Sequence, residues 1–167
     1  MAVRHPSLPS KAFPTLWLMT DERMGPALWT ALERLPPGSG VVFRHFATPP
    51  AERTAIFTRL SRVARRRRLI VVRAGVKGQS PDLHPAHSGR EAVSARRAGA
   101  DLVLVSPVYP TRTHPGAPAL GPIRAAMIAR AAGVPAIALG GMNASRFKRL
   151  RALGFAGWAA IDGLTRT

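Results

Sequence analysis

Residues 101–108 read DLVLVSPV and residues 135–141 read PAIALGG, and these two stretches decide the fold. The first is a nearly continuous apolar run, the pattern of a strand with both faces buried in a parallel sheet. The second is a short apolar run that ends in two glycines, as a strand does when it turns tightly into a helix. Each predicts a buried strand followed by a loop at the same edge of a sheet.

The rest of the chain repeats the alternation of short apolar runs with Ala-, Arg- and Leu-rich helical stretches. Further strands are predicted at residues 16–20, 41–44, 69–72 and 157–161. Helices are predicted at residues 26–35, 50–67, 88–98, 122–132 and 143–153. Strands and helices that alternate in this way indicate a parallel α/β architecture.

A closed barrel explains this order better than an open doubly wound sheet. No G-x-G-x-x-G follows the first strand, and the glycine- and threonine-bearing loops come late, after what count as the sixth and seventh strands. Late loops are where an eight-stranded barrel places its phosphate site. We therefore expect a TIM (β/α)8 barrel at residues 15–167, preceded by a flexible leader at residues 1–14.

The chain length of 167 residues is short for such a barrel, which ordinarily needs about 200 or more. The deficit falls between Val72 and His87, where only residues 73–86 are available and glycines and prolines interrupt them. The barrel is therefore predicted to be shortened or incomplete around its third to fourth βα unit. We also expect that a barrel this short forms a homo-oligomer to cover apolar surface.

Composition limits the function classes. Cysteine is absent, which excludes disulfides and thiolate sites, and no apolar run approaches the roughly 18 residues of a membrane span. A cytoplasmic protein without a membrane partner is expected. The net charge of +17 suggests nucleic-acid binding, but only three of the 25 basic residues are lysines. Such an excess of arginine over lysine also arises from a GC-rich coding sequence. Binding to nucleic acid rests on charge alone and is not expected.

Three segments resemble the thiamine-phosphate synthase and thiazole tautomerase family. Residues 106–114, SPVYPTRTH, are similar to the family's G-P-V-F-x-T-x-T-K. Residues 138–142, ALGGM, are similar to its A-I-G-G-I, and residues 154–160, GFAGWAA, to its G-A-x-G-V-A-V. The resemblance covers most of the chain and is strongest from His87 onward.

This resemblance implies a transferase of thiamine biosynthesis. Such an enzyme couples hydroxymethylpyrimidine pyrophosphate to thiazole phosphate and releases pyrophosphate, with the help of Mg²⁺. The residues that the resemblance assigns to substrate and phosphate are Arg44, Thr111, Thr113, Gly140 and Gly141. Two glycines let backbone N–H groups approach a phosphate, and the helix that begins after Asn143 adds positive potential.

Several positions of the family pattern differ here, and they concern the metal. The lysine of Q-x-R-x-K is Phe46, and the strand-three N-D-R aligns with residues 72–74, VRA. Asp82 is then the candidate Mg²⁺ ligand, because magnesium prefers carboxylate oxygens. Asp21 and Asp162 are spare carboxylates that we interpret as loop or cap residues.

Two alternatives stay open. A thiazole tautomerase-like protein needs no metal, only a general acid or base, for which His87 and His114 are the candidates. Pro107 stands where the tautomerase histidine is expected, which counts against this reading. The other alternative is a non-catalytic barrel that binds a phosphorylated metabolite.

Overall fold

Seven strands form a single parallel sheet in the computed structural model, which describes residues 13–111, 116 and 118–161. The strands are β1 Leu16–Met19, β2 Gly40–Phe43, β3 Ile70–Arg73, β4 Leu83–Ala86, β5 Leu102–Val105, β6 Ala136–Ala138 and β7 Gly157–Ala160. The α-helices are α1 Ala27–Arg34, α2 Pro50–Arg67, α3 Gly89–Arg97, α4 Pro122–Ala132 and α5 Ala144–Ala152. A 3-10 turn, Glu22–Met24, precedes α1.

The strand order shows an incomplete barrel. It is β3-β2-β1-β7-β6-β5-β4, so the first strand pairs with the last, as in a closed (β/α) barrel. The two edges of the sheet are β3 and β4, which follow each other in the chain. Residues 74–82 join them without a helix, whereas every other strand-to-strand connection contains one. The prediction of a barrel that is incomplete around its third to fourth unit is confirmed.

The gap between β3 and β4 is called the seam here. Each of its two edge strands has a feature that protects it from pairing with another strand. The side-chain amide of Gln79 accepts the N–H of Arg73 at 2.8 Å and donates to the Arg73 carbonyl, as a neighbouring strand would. On the other edge, β4 contains Pro85, which has no backbone N–H to offer. Exposed strand edges are commonly protected in such ways against pairing with another chain.

The core consists of one inner and two outer layers. The inner layer fills the space that the curled sheet encloses, and Trp17, Val42, Val72 and Ile137 belong to it. Trp17 is fully buried, and a Cβ on Gly40 would lie 2.1 Å from its ring, so β2 needs a glycine there. One outer layer packs α1 and α2 against β1–β3, and the other packs α3, α4 and α5 against β4–β7. The enclosed space is therefore a packed core.

Helix ends follow their sequence signals. Ser88 caps α3 by accepting the N–H of Glu91 at 3.2 Å, as the predicted capping box requires, and Glu91 in turn accepts the N–H of His87 at 2.7 Å. Asn143 caps α5 by accepting the N–H of Arg146 at 2.8 Å. None of the described helices combines the length and the apolar character needed to cross a membrane. These caps fix where each helix begins relative to the strand before it.

Candidate functional site

Most of the sequence-predicted residues lie at the carboxyl edge of the sheet, which is the edge where all the parallel strands end. Arg44 follows β2, His87 follows β4, and Gly140 and Gly141 follow β6. Ligands of parallel α/β proteins bind at this edge, because the loops that follow the strands converge there. The structure thus brings the ends of different strands together, although it does so in two separate groups.

The first group is formed by the glycine loops, residues 106–111 after β5 and residues 139–143 after β6. They are joined by backbone hydrogen bonds, from Val108 N–H to the Leu139 carbonyl at 2.9 Å and from Tyr109 N–H to the Gly140 carbonyl at 3.1 Å. A Cβ on Gly140 would lie 2.7 Å from Cα of Pro107, and one on Gly141 would lie 2.5 Å from the Pro110 carbonyl oxygen. Close contact between the two loops therefore requires both glycines.

The N-terminus of α5 and the Arg146 side chain create a positive electrostatic potential beside these loops. Gly140 and Gly141 have φ values of +97° and +59°, and three residues later α5 begins with its capped N-terminus. The guanidinium of Arg146, in the first turn of α5, donates to the Gly141 carbonyl and stacks 4.6 Å from the centroid of the Tyr109 ring. A helix N-terminus together with a cation favours an anion.

Only part of the predicted threonine loop can be placed. Thr111 is described and has an interaction partner, whereas Thr113 and His114 lie outside the described residues. Asp162, the spare carboxylate at the end of the chain, also lies outside them. The predicted roles of these three residues stay predictions.

The second group is the arginine cluster, Arg23 and Arg44 around Asp21. Arg23 Nε lies 2.6 Å from Asp21 Oδ1, and Arg44 Nη2 lies 3.0 Å from Asp21 Oδ2. The hydrogen bond from the Arg23 side chain is the main reason that the pKa of Asp21 falls to about 2, since burial alone would raise it. Asp21 also caps the 3-10 turn, as the sequence indicated, by accepting the N–H of Arg23 at 3.0 Å.

His87, the other catalytic candidate, lies against the end of β5. Its Nδ1 is 2.8 Å from the Ser106 carbonyl oxygen and 3.4 Å from Ser106 Oγ. The imidazole is exposed, so it has access to solvent at the carboxyl edge. A carbonyl contact at Nδ1 favours the tautomer with its proton there, which leaves Nε2 free to accept a proton.

Asp82 does not join the other candidates. It precedes β4, and its backbone carbonyl accepts the N–H groups of Asp101 and Leu102 at the start of β5. Its carboxylate lies 3.3 Å from Nε2 of His84. Asp82 is therefore at the amino edge of the sheet, opposite to Arg44 and Gly140, and cannot ligate a metal at the carboxyl edge.

The described residues do not fit a magnesium ion at the carboxyl edge. Asp21 is neutralised by two guanidinium groups, Glu22 accepts the N–H of Ala47, and Glu91 accepts the N–H of His87. Among the residues that the structure describes, no three His, Asp or Glu side chains come together as ligands. Mg²⁺ requires several oxygen ligands in near-octahedral geometry.

His45 is a buried polar residue of this edge that the sequence reasoning missed. It is only 5% exposed, its ring stacks on Phe43 at 4.5 Å, and its Nδ1 lies 3.1 Å from Thr20 Oγ1. Burial lowers the pKa of this imidazole, and this effect is larger than the opposite effect of the nearby carboxylates. The signal was its place two residues after a buried strand, next to the predicted Arg44.

Comparisons with known proteins agree with the resemblance in the second half of the chain. The family described as thiamine monophosphate synthase matches residues 85–164. A thiamine-phosphate synthase of Methanospirillum hungatei is 41% identical over 75 residues, which are 44% of this chain and 36% of that protein. One of Salinispora tropica is 40% identical over 81 residues, 48% of this chain and 39% of that protein. The matches thus span well under half the length of these relatives.

Two solved structures share the fold over nearly the whole chain. A thiamine phosphate pyrophosphorylase from Pyrococcus furiosus has a TM-score of 0.75 and 20% identity, and the match covers 93% of this chain and 88% of that one. A thiamine phosphate pyrophosphorylase from Bacteroides thetaiotaomicron has a TM-score of 0.53 and 16% identity over 90% of this chain and 84% of that one. Sequence similarity and structural similarity therefore cover different shares of the molecule.

Proposed function

We propose that this chain is a transferase of the thiamine-phosphate synthase type, since residues 85–164 match the family described as thiamine monophosphate synthase. It would join a hydroxymethylpyrimidine pyrophosphate to a thiazole phosphate. The glycine loops carry this proposal. They combine two positive-φ glycines, a capped helix N-terminus and Arg146 at the edge where such barrels bind phosphate.

Binding of the thiazole phosphate is assigned to the glycine loops. The close contacts of Gly140 and Gly141 hold the two loops beside the start of α5, where a phosphate can approach the main-chain N–H groups of the first helical turn. Thr111 lies in the same loop system and has a hydroxyl that suits a phosphate oxygen. Thr113 is proposed for the same role from its place in the sequence.

The pyrophosphate is assigned to Arg44. In the proposed reaction, the bond between the pyrimidine methylene carbon and the pyrophosphate oxygen breaks, and the electron pair leaves with the pyrophosphate. The thiazole nitrogen then uses its lone pair to form the new carbon–nitrogen bond. The carboxylate of Asp21 holds the Arg44 guanidinium in place at 3.0 Å. The N–H groups of Arg44 that do not face Asp21 can stabilise the charge on the leaving pyrophosphate.

Magnesium has no part in this assignment, because Asp21, Glu22 and Glu91 are already engaged by guanidinium or backbone N–H groups. The arginine cluster supplies positive charge at this edge, and fixed cations stabilise a leaving pyrophosphate electrostatically. His87 is assigned to substrate orientation, with its Nδ1 on the Ser106 carbonyl and its Nε2 directed to the ligand as a hydrogen-bonding group. The attacking thiazole nitrogen carries no proton, so the coupling step requires no proton transfer to this imidazole.

The test is formation of thiamine phosphate by the purified chain from the two substrates, followed by chromatography. We expect product with the native chain and a loss of about tenfold or more in Arg44→Ala, since a bidentate cation for the leaving group is removed. Arg97→Ala, an exposed arginine of α3, is the matched control and should retain activity. Thermal unfolding of each variant shows whether it is folded. No product with any divalent cation, from a folded chain, would overturn the transferase proposal.

One second candidate is a barrel that binds thiazole phosphate without turnover, favoured because no three His, Asp or Glu side chains of the described residues come together as metal ligands. The two are separated by the same samples: the second candidate predicts saturable binding of thiazole phosphate and no product. Failure of both binding and turnover would refute the assignment of the glycine loops as well.

A further inference from the structure

Arginine occurs at the C-terminal end of every described α-helix. Each helix leads from the carboxyl end of one strand back to the amino end of the next, so all of them end at the amino edge of the sheet. The exposed arginines in these last turns, with the residue that ends α2, are named the basic face. They are Arg34, Arg65, Arg66, Arg68, Arg96, Arg97, Arg130, Arg149 and Arg151.

Contacts between neighbouring helix ends bring these arginines together. Where α1 and α2 end, the Gly38 N–H donates to the backbone carbonyl of Arg68 at 2.9 Å. Where α3 and α4 end, a Cβ on Gly133 would lie 3.2 Å from Cδ of Arg96. Cations from neighbouring helices therefore lie side by side at the amino edge.

Few carboxylates offset this charge. The described carboxylates of the amino edge are Glu33, Asp82 and Asp101. Asp82 lies 3.3 Å from Nε2 of His84, Asp101 accepts the backbone N–H of Asp82 at 2.9 Å, and Glu33 pairs with two arginines of α2. Apart from Arg66, no arginine of the basic face forms an ion pair with a carboxylate in the described part of the chain. Their guanidinium groups thus keep N–H donors for an external anion.

The helix dipole explains only part of this pattern. A cation in the last turn is stabilised by the partial negative charge of the helix C-terminus. However, α2, α3 and α5 each carry two or more arginines in that turn. Exposed like charges at such short separation repel one another, and a polyanion that binds them relieves this repulsion. The surplus of unpaired arginines therefore points to a polyanionic partner.

The residues around the basic face distinguish between polyanions. A lipid surface or a protein partner requires exposed apolar side chains, and Ile70, 37% exposed, is the one described large hydrophobic residue exposed at the amino edge. Unpaired bases stack on exposed aromatic rings, but the one such ring among the described residues, Phe46, lies at the carboxyl edge. Guanidinium groups bind phosphates through paired N–H donors and need no such ring. These features favour the phosphate backbone of a duplex.

We propose that the basic face binds the sugar-phosphate backbone of a double-stranded nucleic acid, independently of base sequence. Its guanidinium groups bind phosphates of the duplex, and the counterions that are released favour the complex. The net charge of the chain does not show where the cations lie, whereas the helix ends place them at one edge. The basic face is opposite to the glycine loops and the arginine cluster, so the proposal does not depend on the transferase reaction.

A fluorescein-labelled DNA duplex is the probe, and its anisotropy is followed while the full chain is added at several NaCl concentrations. An RNA duplex of the same sequence is titrated in parallel. The test variant combines Arg97→Gln with Arg130→Gln, at the ends of α3 and α4. The control variant combines Arg90→Gln with Arg124→Gln, which removes the same charge from the first turns of the same helices, about 10 Å away along each axis. All four side chains are exposed, and circular dichroism checks that each variant is folded.

We expect saturable binding of at least one duplex, with an association constant that falls linearly with salt on logarithmic scales. The duplex that binds more tightly identifies the source of the phosphates. The test variant should weaken binding by about tenfold or more and make the salt slope shallower by about 2, because two phosphate contacts are lost. The control variant should weaken binding by less than about threefold and keep the slope. Equal losses in the two variants would show general attraction to a basic protein and overturn the proposal, as would no binding of either duplex at low salt.

A second variant tests the group at the ends of α1 and α2. Arg34→Gln combined with Arg65→Gln should also weaken duplex binding by about tenfold or more, since both arginines are exposed and lack a carboxylate partner in the described part of the chain. A single strand of the same sequence should bind more weakly than the duplex. Phosphatidylglycerol vesicles should not displace the duplex at equal phosphate concentration. Displacement by the vesicles, or tighter binding of the single strand, would contradict the assignment to a duplex.

Discussion

The glycine loops and the arginine cluster occupy the same edge of one sheet, yet they are built in different ways. The glycine loops are held by backbone hydrogen bonds and by contacts too close for any Cβ, so their shape is fixed by packing. The arginine cluster is held by charge, with one carboxylate between two guanidinium groups. The first lies within residues 85–164, where the family match is found, and the second lies outside it.

This difference separates the two parts of the proposed site. A phosphate site made from main-chain atoms depends on glycines and a helix start, and these are present after β6. A metal site depends on carboxylates with free oxygen atoms. At the end of β1, Asp21 forms ion pairs with Arg23 and Arg44, and Glu22 accepts the N–H of Ala47. The carboxyl edge therefore carries glycines and a helix N-terminus at one side, the part to which we assign the phosphate, and paired arginines at the other.

The largest effect is expected at Gly140. Gly140→Ala should lower the free energy of unfolding by about 3 kcal/mol, because the new Cβ collides with Pro107 and the residue keeps a positive φ. Urea unfolding followed by fluorescence measures it. Gly99→Ala is the matched control, since its φ is +82° but nothing lies within 4 Å of the added Cβ, and about 1 kcal/mol is expected there. Equal costs at both positions would show that the glycine loops are not closely packed.

A smaller effect is expected in the arginine cluster. Asp21→Asn should cost about 2 kcal/mol at neutral pH, since the folded state lowers the pKa of this carboxyl from 3.8 to about 2. Glu33→Gln, which affects only the more exposed ion pairs with Arg66 and Arg67, should cost less than about 1 kcal/mol. If the two substitutions are equivalent, Asp21 is not the organising charge of the cluster.

The same carboxyl gives a pH dependence with a defined sign. A depressed pKa contributes stability above the unfolded value of 3.8, and this contribution declines as the pH falls toward the folded value of about 2. The difference in unfolding free energy between the native chain and Asp21→Asn should therefore shrink between pH 5 and pH 2, as measured by urea unfolding at a series of pH values. A difference that stays constant over this range would contradict the assignment.

The smallest effects are expected at the helix caps. Asn143→Ala at the start of α5 and Ser88→Ala at the start of α3 should each cost about 1 kcal/mol, because each removes an acceptor for a backbone N–H. Thermal unfolding compares them. Asn143→Ala should in addition weaken thiazole phosphate, whereas Ser88→Ala should not, since only α5 begins beside the glycine loops. Equal effects on binding would remove α5 from the phosphate site.

Much of the fold could be predicted from the sequence because it rests on local signals. The buried strands, the caps at Ser88 and Asn143, and the short connection between Val72 and His87 are all visible as residue patterns. Even the position of the seam follows, because the chain is too short for a helix and a strand between β3 and β4.

The site was harder to predict because it depends on which edge of the sheet a residue occupies. Asp82 was the candidate Mg²⁺ ligand as a carboxylate in the right part of the chain, but it precedes β4 and lies at the amino edge. His45 was not among the candidates, and its burial and its contact with Thr20 appear only in the folded chain. A local sequence pattern does not show which residues from different strands come into contact, as His45 and Thr20 do.

The most direct test of this account is a calorimetric titration of thiazole phosphate into the chain, with Mg²⁺ present and then with Mg²⁺ removed by a chelator. We expect saturable binding with the same affinity in both conditions, and weaker binding in Arg146→Ala, because the glycine loops and α5 provide the contacts. Binding that requires Mg²⁺, or no binding by the folded chain, would contradict it.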